Sequence, residues 1–263
     1  MSTDGGSVWN QVDSYFSDGG CLAADPVDVN TFYAGGSDPG TGAADVCKST
    51  NGGLTWGTRR ALGTNYGMCY DIAVAPSNHA IVYAAGQDND ATVWRSQNSG
   101  DSWGNATGNL VSLAGSGETA YALWVDPTDS NKVLVGTSAG VFQTSNGGTN
   151  WVSTPLTYGT RDLVYDAGGS PIAASGTVRT AGVAGSGTLY AGTTDHGVYH
   201  SSDGGTSWIE MNDGLDCPNI LCLAMDPTNR ILFAGTDGGA VWRFQSATVA
   251  GPALAKPAWS RYR

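Results

Sequence analysis

One short motif returns along the chain at an almost constant spacing, and it constrains the fold more than any other feature. Each copy begins with Ser or Thr, carries Asp or Asn two positions later and Gly two positions after that, and ends on Trp. Successive copies start 47, 47, 48 and 57 residues apart. In an all-β chain, a period of this size predicts a repeated four-stranded unit, the blade of a β-propeller. The motif positions are Ser2, Asp4, Gly6 and Trp9; Ser49, Asn51, Gly53 and Trp56; Ser96, Asn98, Gly100 and Trp103; Thr144, Asn146, Gly148 and Trp151; and Ser201, Asp203, Gly205 and Trp208.

A second pattern recurs between the copies of the motif. Two apolar runs are joined by a turn containing Asp-Pro or Ala-Pro, and a third apolar run leads into the next motif; the pattern begins at Leu22, Ile72, Leu123 and Leu223. The predicted order is therefore strand A, Pro turn, strand B, Gly-rich loop, strand C, motif and strand D. Because no long stretch shows a helical apolar period, we expect almost no helix.

The residue types of the motif indicate a tight turn. Ser or Thr and the following Asp or Asn can hydrogen-bond nearby backbone N–H groups, and Gly supplies a left-handed backbone conformation. Trp can anchor the next strand by burying a large apolar face. Metal or sugar binding by the acidic position is the alternative. We favour the turn, because the same residue types recur in every repeat.

This combination of motif and strands resembles the Asp-box, or BNR-repeat, superfamily. Its members include sialidases, xyloglucan-active glycoside hydrolases, sortilin-type receptor propellers and a photosystem assembly factor. The resemblance covers nearly the whole chain and implies an all-β fold, a β-propeller of four-stranded antiparallel blades. It implies no single function, because the superfamily contains both enzymes and binding scaffolds.

The repeats predict one propeller domain over residues 1–263, most simply with five blades at about 20–60, 68–107, 120–155, 160–212 and 218–263. An N-terminal strand within residues 1–16 is expected to pair with the run Ala240–Phe244 and close the ring, which would remove free sheet edges. Six blades, or part of a larger ring, are the alternatives. The fourth repeat is the longest, and we assign its long stretch Pro155–Gly187 to a D-to-A loop.

Charge and composition argue against several functions. A net charge of −11 and a pI near 4.4 disfavour nucleic acid and anionic membranes as partners. The chain has no apolar run of about 18 residues, so we expect no membrane insertion. His79, His196 and His200 share no metal-ligand spacing, and we expect no metal and no cofactor. The five cysteines are interpreted as small buried residues, with a Cys217–Cys222 disulfide as the alternative.

The resemblance also implies where a binding site would lie. In such propellers the Pro turns and motifs occupy one face, and the D-to-A and B-to-C loops occupy the other, around the central channel. The second set varies between repeats, and varied loops on a fixed scaffold carry function. We predict one dominant partner site on the loops of blades two to four, enlarged by the long fourth repeat. The candidate binding residues are Tyr66, Tyr70, Asp88, Asp90, Glu118, Tyr121, Tyr158, Arg161, Asp195 and His196.

The function favoured at this point is a non-catalytic binding or assembly scaffold, secreted or at the cell surface, whose partner is a glycan or a protein. A homo-oligomer or a larger assembly remains open, and no catalytic residue is assigned. The alternative is a xyloglucanase-like glycoside hydrolase or a fragment of one. An inverting hydrolase needs two carboxylates about 6.5 to 9.5 Å apart, one of them with a raised pKa. The candidates are Asp38, Asp88, Asp90, Asp195 and Asp237. A sialidase is disfavoured, because the chain has no Arg-Ile-Pro motif.

Overall fold

The structure is a computed structural model that describes residue 2 and residues 4–11, 18–167, 187–226, 228–245 and 258–262. The first sheet has seven strands that pair in chain order. They are β1 (Asp18–Ala24), β2 (Phe32–Ser37), β3 (Ala43–Ser49), β4 (Arg60–Val74), β5 (Val82–Asp88), β6 (Asp90–Ser96) and β7 (Gly104–Asn105). The long strand β4 belongs to two four-stranded units, because its first part pairs with β3 and its second part with β5.

Three four-stranded sheets follow, each with its strands in chain order. Strands β8 to β11 are Ala120–Val125, Val133–Thr137, Gly140–Thr144 and Val152–Ser153. Strands β12 to β15 are Thr160–Asp166, Thr188–Thr193, Gly197–Ser201 and Ile209–Glu210. Strands β16 to β19 are Ile220–Asp226, Ile231–Thr236, Val241–Gln245 and Trp259–Arg261. One helix, α1 (Leu110–Ala114), occurs among the described residues, in agreement with the expected scarcity of helix.

The strands thus fall into five consecutive antiparallel units, which we number one to five along the chain. This confirms the predicted all-β architecture of four-stranded antiparallel sheets. The first strand of each unit, here called the inner strand, packs against the inner strand of the next unit; the inner strands are β1, the second part of β4, β8, β12 and β16. Since a strand points alternate side chains to its two faces, the inner strands of units two, three and four contribute to the core on both sides.

The core therefore consists of four apolar layers, each lying between two successive units. At one inner-strand position, Ile72, Leu123, Leu163 and Leu223 are all buried by the unit before them. The equivalent residue of unit one, Leu22, is 52% exposed. The face of unit one that carries Leu22 is consequently uncovered in the part of the chain that the structure describes.

Closure of the ring through the N-terminal strand is not confirmed, and the described residues contain no closed sheet. Strand β18 pairs with β17 on one side and β19 on the other, so the edge expected to receive the N-terminal strand is occupied. Trp259 explains this difference, because it is buried against Phe244 and its indole N–H donates to the carbonyl of Met211. Trp9, in contrast, is 75% exposed.

The extra length of the fourth repeat lies elsewhere than predicted. The stretch Pro155–Gly187 is not a D-to-A loop, because it contains strand β12 (Thr160–Asp166), the inner strand of unit four. The excess falls between β12 and β13, at the A-to-B turn, and mostly outside the described residues. The loop before β12, which carries Tyr158, is therefore not the long connection, and the assignment of the extra length to a D-to-A loop was wrong.

Candidate functional site

The five motifs form turns that use their own polar atoms. In each, the Ser or Thr hydroxyl accepts the N–H of the Gly four residues later. The Asp or Asn side chain accepts a further N–H four residues later, for example Ser207 N–H on Asp203. Bonds from Ser207 and Ser201 lower the pKa of Asp203 to about 2. The motif oxygens are thus engaged within the turn, as the turn interpretation requires.

A β-bulge interrupts the inner strand of every unit at one repeat-equivalent place. The register shifts between Gly19 and Cys21, and at the corresponding points of the other four inner strands. A bulge leaves its extra residue unpaired and redirects that side chain away from the regular alternation. The bulge residues are Gly20, Tyr70, Tyr121, Arg161 and Leu221.

Three bulge residues meet across units two, three and four. The rings of Tyr70 and Tyr121 pack edge to face, with centroids 5.4 Å apart. The guanidinium carbon of Arg161 lies 5.0 Å from the centroid of the Tyr121 ring, within cation–π range. Burial and then the neighbouring Tyr121 raise the pKa of Tyr70, against which the charge of Arg161 acts. We call these three residues the bulge cluster.

Other predicted aromatic residues form a separate group. Tyr158 stacks on the His196 ring with centroids 3.7 Å apart, and its ring lies 5.8 Å from that of Tyr199. This contact joins the loop before β12 to the loop between β13 and β14. Asp195 has a φ of 62° in that second loop, typical of a turn residue. Tyr66 is 81% exposed and its ring lies against Gly42.

The predicted carboxylates of this face accept hydrogen bonds from other segments of the chain. Asp88 accepts the N–H of Asn65 at 2.8 Å. Asp90 accepts the N–H of Gly117 and the hydroxyl of Ser116, and these bonds lower its pKa. Glu118 accepts the hydroxyl of Ser138. Each of these carboxylates therefore links two segments of the chain that are distant in sequence.

A different acidic pair lies at unit one. Arg59 forms an ion pair with Asp38, and its Nη1 lies 3.6 Å from Oδ2 of Asp45. Asp45 is 4% exposed, and its Oδ1 has no hydrogen-bond partner among the described residues. Burial and then the charge of Asp38 raise the pKa of Asp45, against Arg59, whereas backbone N–H donation from Thr41 lowers the pKa of Asp38. Both carboxyls and Trp56 line an open cavity of about 660 Å³.

All three members of the bulge cluster were candidate binding residues in the sequence analysis. Their contact with one another was not predicted. Asp45 was missed altogether. Its position in strand C is small or uncharged in later repeats, namely Thr92, Gly140, Gly197 and Ala240. An Asp inside a strand, where the other repeats hold small or uncharged residues, is the sequence signal that could have identified it. Asp237, a further hydrolase candidate, accepts the amide of Asn219 at 3.2 Å.

Two features are absent from the described part of the chain, namely a metal-ligand cluster and a membrane-spanning helix. No group of three or more His, Cys, Asp or Glu side chains there is arranged to hold a metal ion. Among the same residues, no helix is long and apolar enough to cross a membrane.

Comparison with known proteins supports the propeller fold. No family model matches the chain. An oligoxyloglucan-reducing end-specific xyloglucanase of Emericella nidulans is 31% identical over 143 residues, which cover 46% of this chain and 17% of that protein. The chain therefore spans less than a fifth of the curated relative that it matches.

Solved structures agree in fold at low sequence identity. An ancestral GH74 enzyme is 20% identical, with a TM-score of 0.62 over 97% of this chain and 32% of its own. YCF48 from Cyanidioschyzon merolae is 15% identical, with a TM-score of 0.64 over 96% of this chain and 74% of its own. YCF48 bound to D1 peptide has a TM-score of 0.60 at 15% identity, covering 92% and 65%. Each of the five units is thus comparable to a propeller blade.

Proposed function

We propose that the chain is a non-catalytic binding scaffold that presents the bulge cluster and its surrounding loops to a glycan or protein partner. The observation that carries this proposal is the contact of Tyr70, Tyr121 and Arg161 across three successive units. The proposal is supported by the chemistry of these three side chains. Aromatic rings and arginine are the side chains that most often dominate binding energy at protein interfaces, and aromatic faces also stack on sugar rings.

The loops around the cluster favour binding over chemistry. Asp88, Asp90 and Glu118 hold their connections in place, so the face is organised before any partner arrives. A preorganised surface loses less conformational entropy on binding than a mobile one. The proposal keeps two expectations from the sequence analysis. The protein is expected to lie outside the cytoplasm, and its binding partner can be a larger assembly.

Two probes distinguish the partner classes. The first is a xyloglucan oligosaccharide, the type of ligand indicated by the name of the xyloglucanase relative. The second is the D1 peptide, which one YCF48 structure contains. Calorimetric titration of wild type and Tyr121→Ala with each probe, alongside Ile209→Ala on an outer strand, tests the site. Binding of one probe that Tyr121→Ala weakens tenfold and Ile209→Ala leaves unchanged is expected; equal loss in both variants would contradict the site.

A glycoside hydrolase is the second candidate, and the Asp38–Asp45 pair is the observation that favours it. Hydrolysis needs one carboxyl that stays protonated and one that stays ionised. The pKa values of Asp45 and Asp38 are shifted in those two directions, and Trp56 adjoins both in the same cavity. Against this, Asp38 is already engaged by Arg59.

The hydrolase candidate has a direct assay. Release of reducing ends from xyloglucan is measured for wild type, Asp45→Asn and Asp38→Asn, with Asp88→Asn as the control. If the pair is catalytic, both variants at unit one lose activity by at least a hundredfold and the control does not. Wild-type protein without activity, while binding at the bulge cluster is retained, favours the scaffold.

A further inference from the structure

The sulfur atoms of Cys21 and Cys69 lie 3.7 Å apart, at the contact between units one and two. Cys21 is on the inner strand β1, immediately after the bulge residue Gly20. Cys69 is on β4, immediately before the bulge residue Tyr70. The two residues are 48 positions apart in the chain and belong to different four-stranded units. Nothing in the motif or in the cysteine spacing indicates this approach.

The backbone leaves room for both sulfurs at this point. Cys21 is paired in register with Gly35 on the neighbouring strand β2. A side-chain carbon on Gly35 would lie 2.6 Å from the sulfur of Cys69 and 2.8 Å from that of Cys21, closer than such atoms approach. Gly35 therefore forms the floor of a small space that the two thiols fill.

The same place recurs between later units, but with other chemistry. Gly136, the register partner of Ala122, is covered by Thr160 of the next unit. Gly192, the register partner of Asp162, is likewise covered by Ile220. The positions equivalent to Cys21 hold Asp71, Ala122, Asp162 and Cys222. Within the described residues, only the contact between units one and two has cysteine on both sides.

We propose that Cys21 and Cys69 are a disulfide-forming pair that joins unit one to unit two under oxidising conditions. Bond formation needs the sulfurs to approach by about 1.7 Å from their present contact distance. Rotation of the two side chains can supply part of this movement, because Cys21 is only partly buried. Cys69 is fully buried, so Cys21 is the thiol that an oxidant reaches first.

The chemistry balances with a small disulfide, such as oxidised glutathione, as the oxidant. The Cys21 thiolate attacks that disulfide, forms a mixed disulfide and releases one glutathione thiol. The sulfur of Cys69 then attacks the Cys21 sulfur and displaces the second glutathione. The protein pair loses two electrons and two protons, and two molecules of reduced glutathione are formed.

The bond would matter because of where it lies. Unit one carries the exposed face of Leu22, so it is packed against another described unit on one side only. A crosslink between β1 and β4 restricts its separation from unit two and reduces the conformational freedom of the unfolded chain. The oxidised protein should therefore unfold at a higher temperature than the reduced protein.

The test counts thiols and then locates the bond. Folded protein is incubated with oxidised glutathione, and free thiols are titrated after denaturation. The number of thiols in wild type is expected to fall from five to three, and a reductant should restore it. Cys222→Ser is the matched control, because Cys222 holds the equivalent register position in unit five. In that variant the count should fall from four to two, whereas in Cys21→Ser it should remain at four.

Mapping needs one further variant. Trypsin leaves Cys21 and Cys47 on one peptide, 1–48, and Cys69 on the peptide 61–95. A crosslink between these peptides that persists in Cys47→Ser and is lost in Cys21→Ser supports the proposal. Five free thiols after oxidation, or a crosslink that requires Cys47, would overturn it. If Cys21→Ser is not folded by circular dichroism, the Cys47→Ser mapping and the reversible rise in melting temperature of wild type still decide the matter.

Discussion

The ring of Tyr70 packs edge to face on the ring of Tyr121, although 51 positions and a change of four-stranded unit separate the two residues. Each is the extra residue of a β-bulge, so one irregularity, repeated along the chain, brings them together. Arg161, the bulge residue of the next unit, completes the contact. The fold thus converts a sequence repeat of nearly constant spacing into a row of side chains that differ from unit to unit.

The first prediction concerns the charge of Arg161. Its guanidinium favours the ionised form of Tyr70 and so opposes the burial that raises the pKa of that phenol. In Arg161→Gln the pKa of Tyr70 should therefore rise further, because the opposing charge is gone while burial remains. Carbon-13 NMR of labelled tyrosine across an alkaline titration measures it. Lys132→Gln removes a positive charge elsewhere and is the control; an unchanged Tyr70 titration in Arg161→Gln would show that the contact is not maintained in solution.

The second prediction concerns the motif turn at Asp203. Asp203→Ala should lower the free energy of unfolding by about 1 kcal/mol, because hydrogen bonds to the turn are lost. Asp203→Asn keeps an acceptor, as the motifs at Asn51, Asn98 and Asn146 do, and should lose less. Chemical denaturation at neutral pH measures both. Equal stability of the alanine variant, together with abolished partner binding, would make the turn a binding site instead.

The same carboxylate gives a pH dependence of known sign. The pKa of Asp203 is lowered from 3.8 to about 2 in the folded protein. A lowered folded-state pKa means that the contribution to stability is complete above the unfolded value and is lost as the pH falls through the folded value. Wild type should therefore lose stability relative to Asp203→Asn between about pH 4 and pH 2. Parallel melting curves of the two proteins over this interval would refute the assignment.

The third prediction concerns a buried contact between units two and three. One oxygen of Asp71 accepts the N–H of Ile72, and the other accepts the N–H of Leu123 from the next inner strand. Asp71→Ala leaves a buried backbone donor without its acceptor and should cost about 2 kcal/mol of unfolding free energy. Asp71→Asn retains an oxygen and should cost less. The effect is expected to be local. In a double variant that combines Asp71→Ala with a substitution in a distant unit, the two losses of unfolding free energy should therefore add.

The sequence predicted the strands and the motif turns because both rest on local chemistry. Alternating apolar residues specify strands, and Ser, Asp and Gly specify the turn. The bulge cluster was not predictable in the same way, because a bulge is a property of strand pairing and leaves no mark on the spacing of apolar residues. Tyr70, Tyr121 and Arg161 could be proposed singly from loop variation, but their mutual contact depends on the register of three separate strand pairs.

The contacts of Asp45 and Cys69 were also not predictable from the sequence. Each is one residue within a strand, and its significance depends on a partner that lies outside that strand, Arg59 in one case and Cys21 in the other. The long fourth repeat was misassigned because length alone does not say which of four connections contains the excess. Only the position of β12 resolves that question.

The last prediction concerns the outer strand of unit five. Trp259 is 4% exposed, packs on Phe244 and donates its indole N–H to Met211, whereas Trp9 is 75% exposed. Trp259→Ala should therefore cost about 3 to 5 kcal/mol, the usual range for truncating a buried tryptophan. Trp9→Ala, the same substitution at an exposed motif, should change stability by no more than about 0.5 kcal/mol. Denaturant unfolding of the two variants measures the difference. The reverse ranking would mean that the N-terminal strand, and not β19, completes unit five, because only a paired N-terminal strand would bury Trp9.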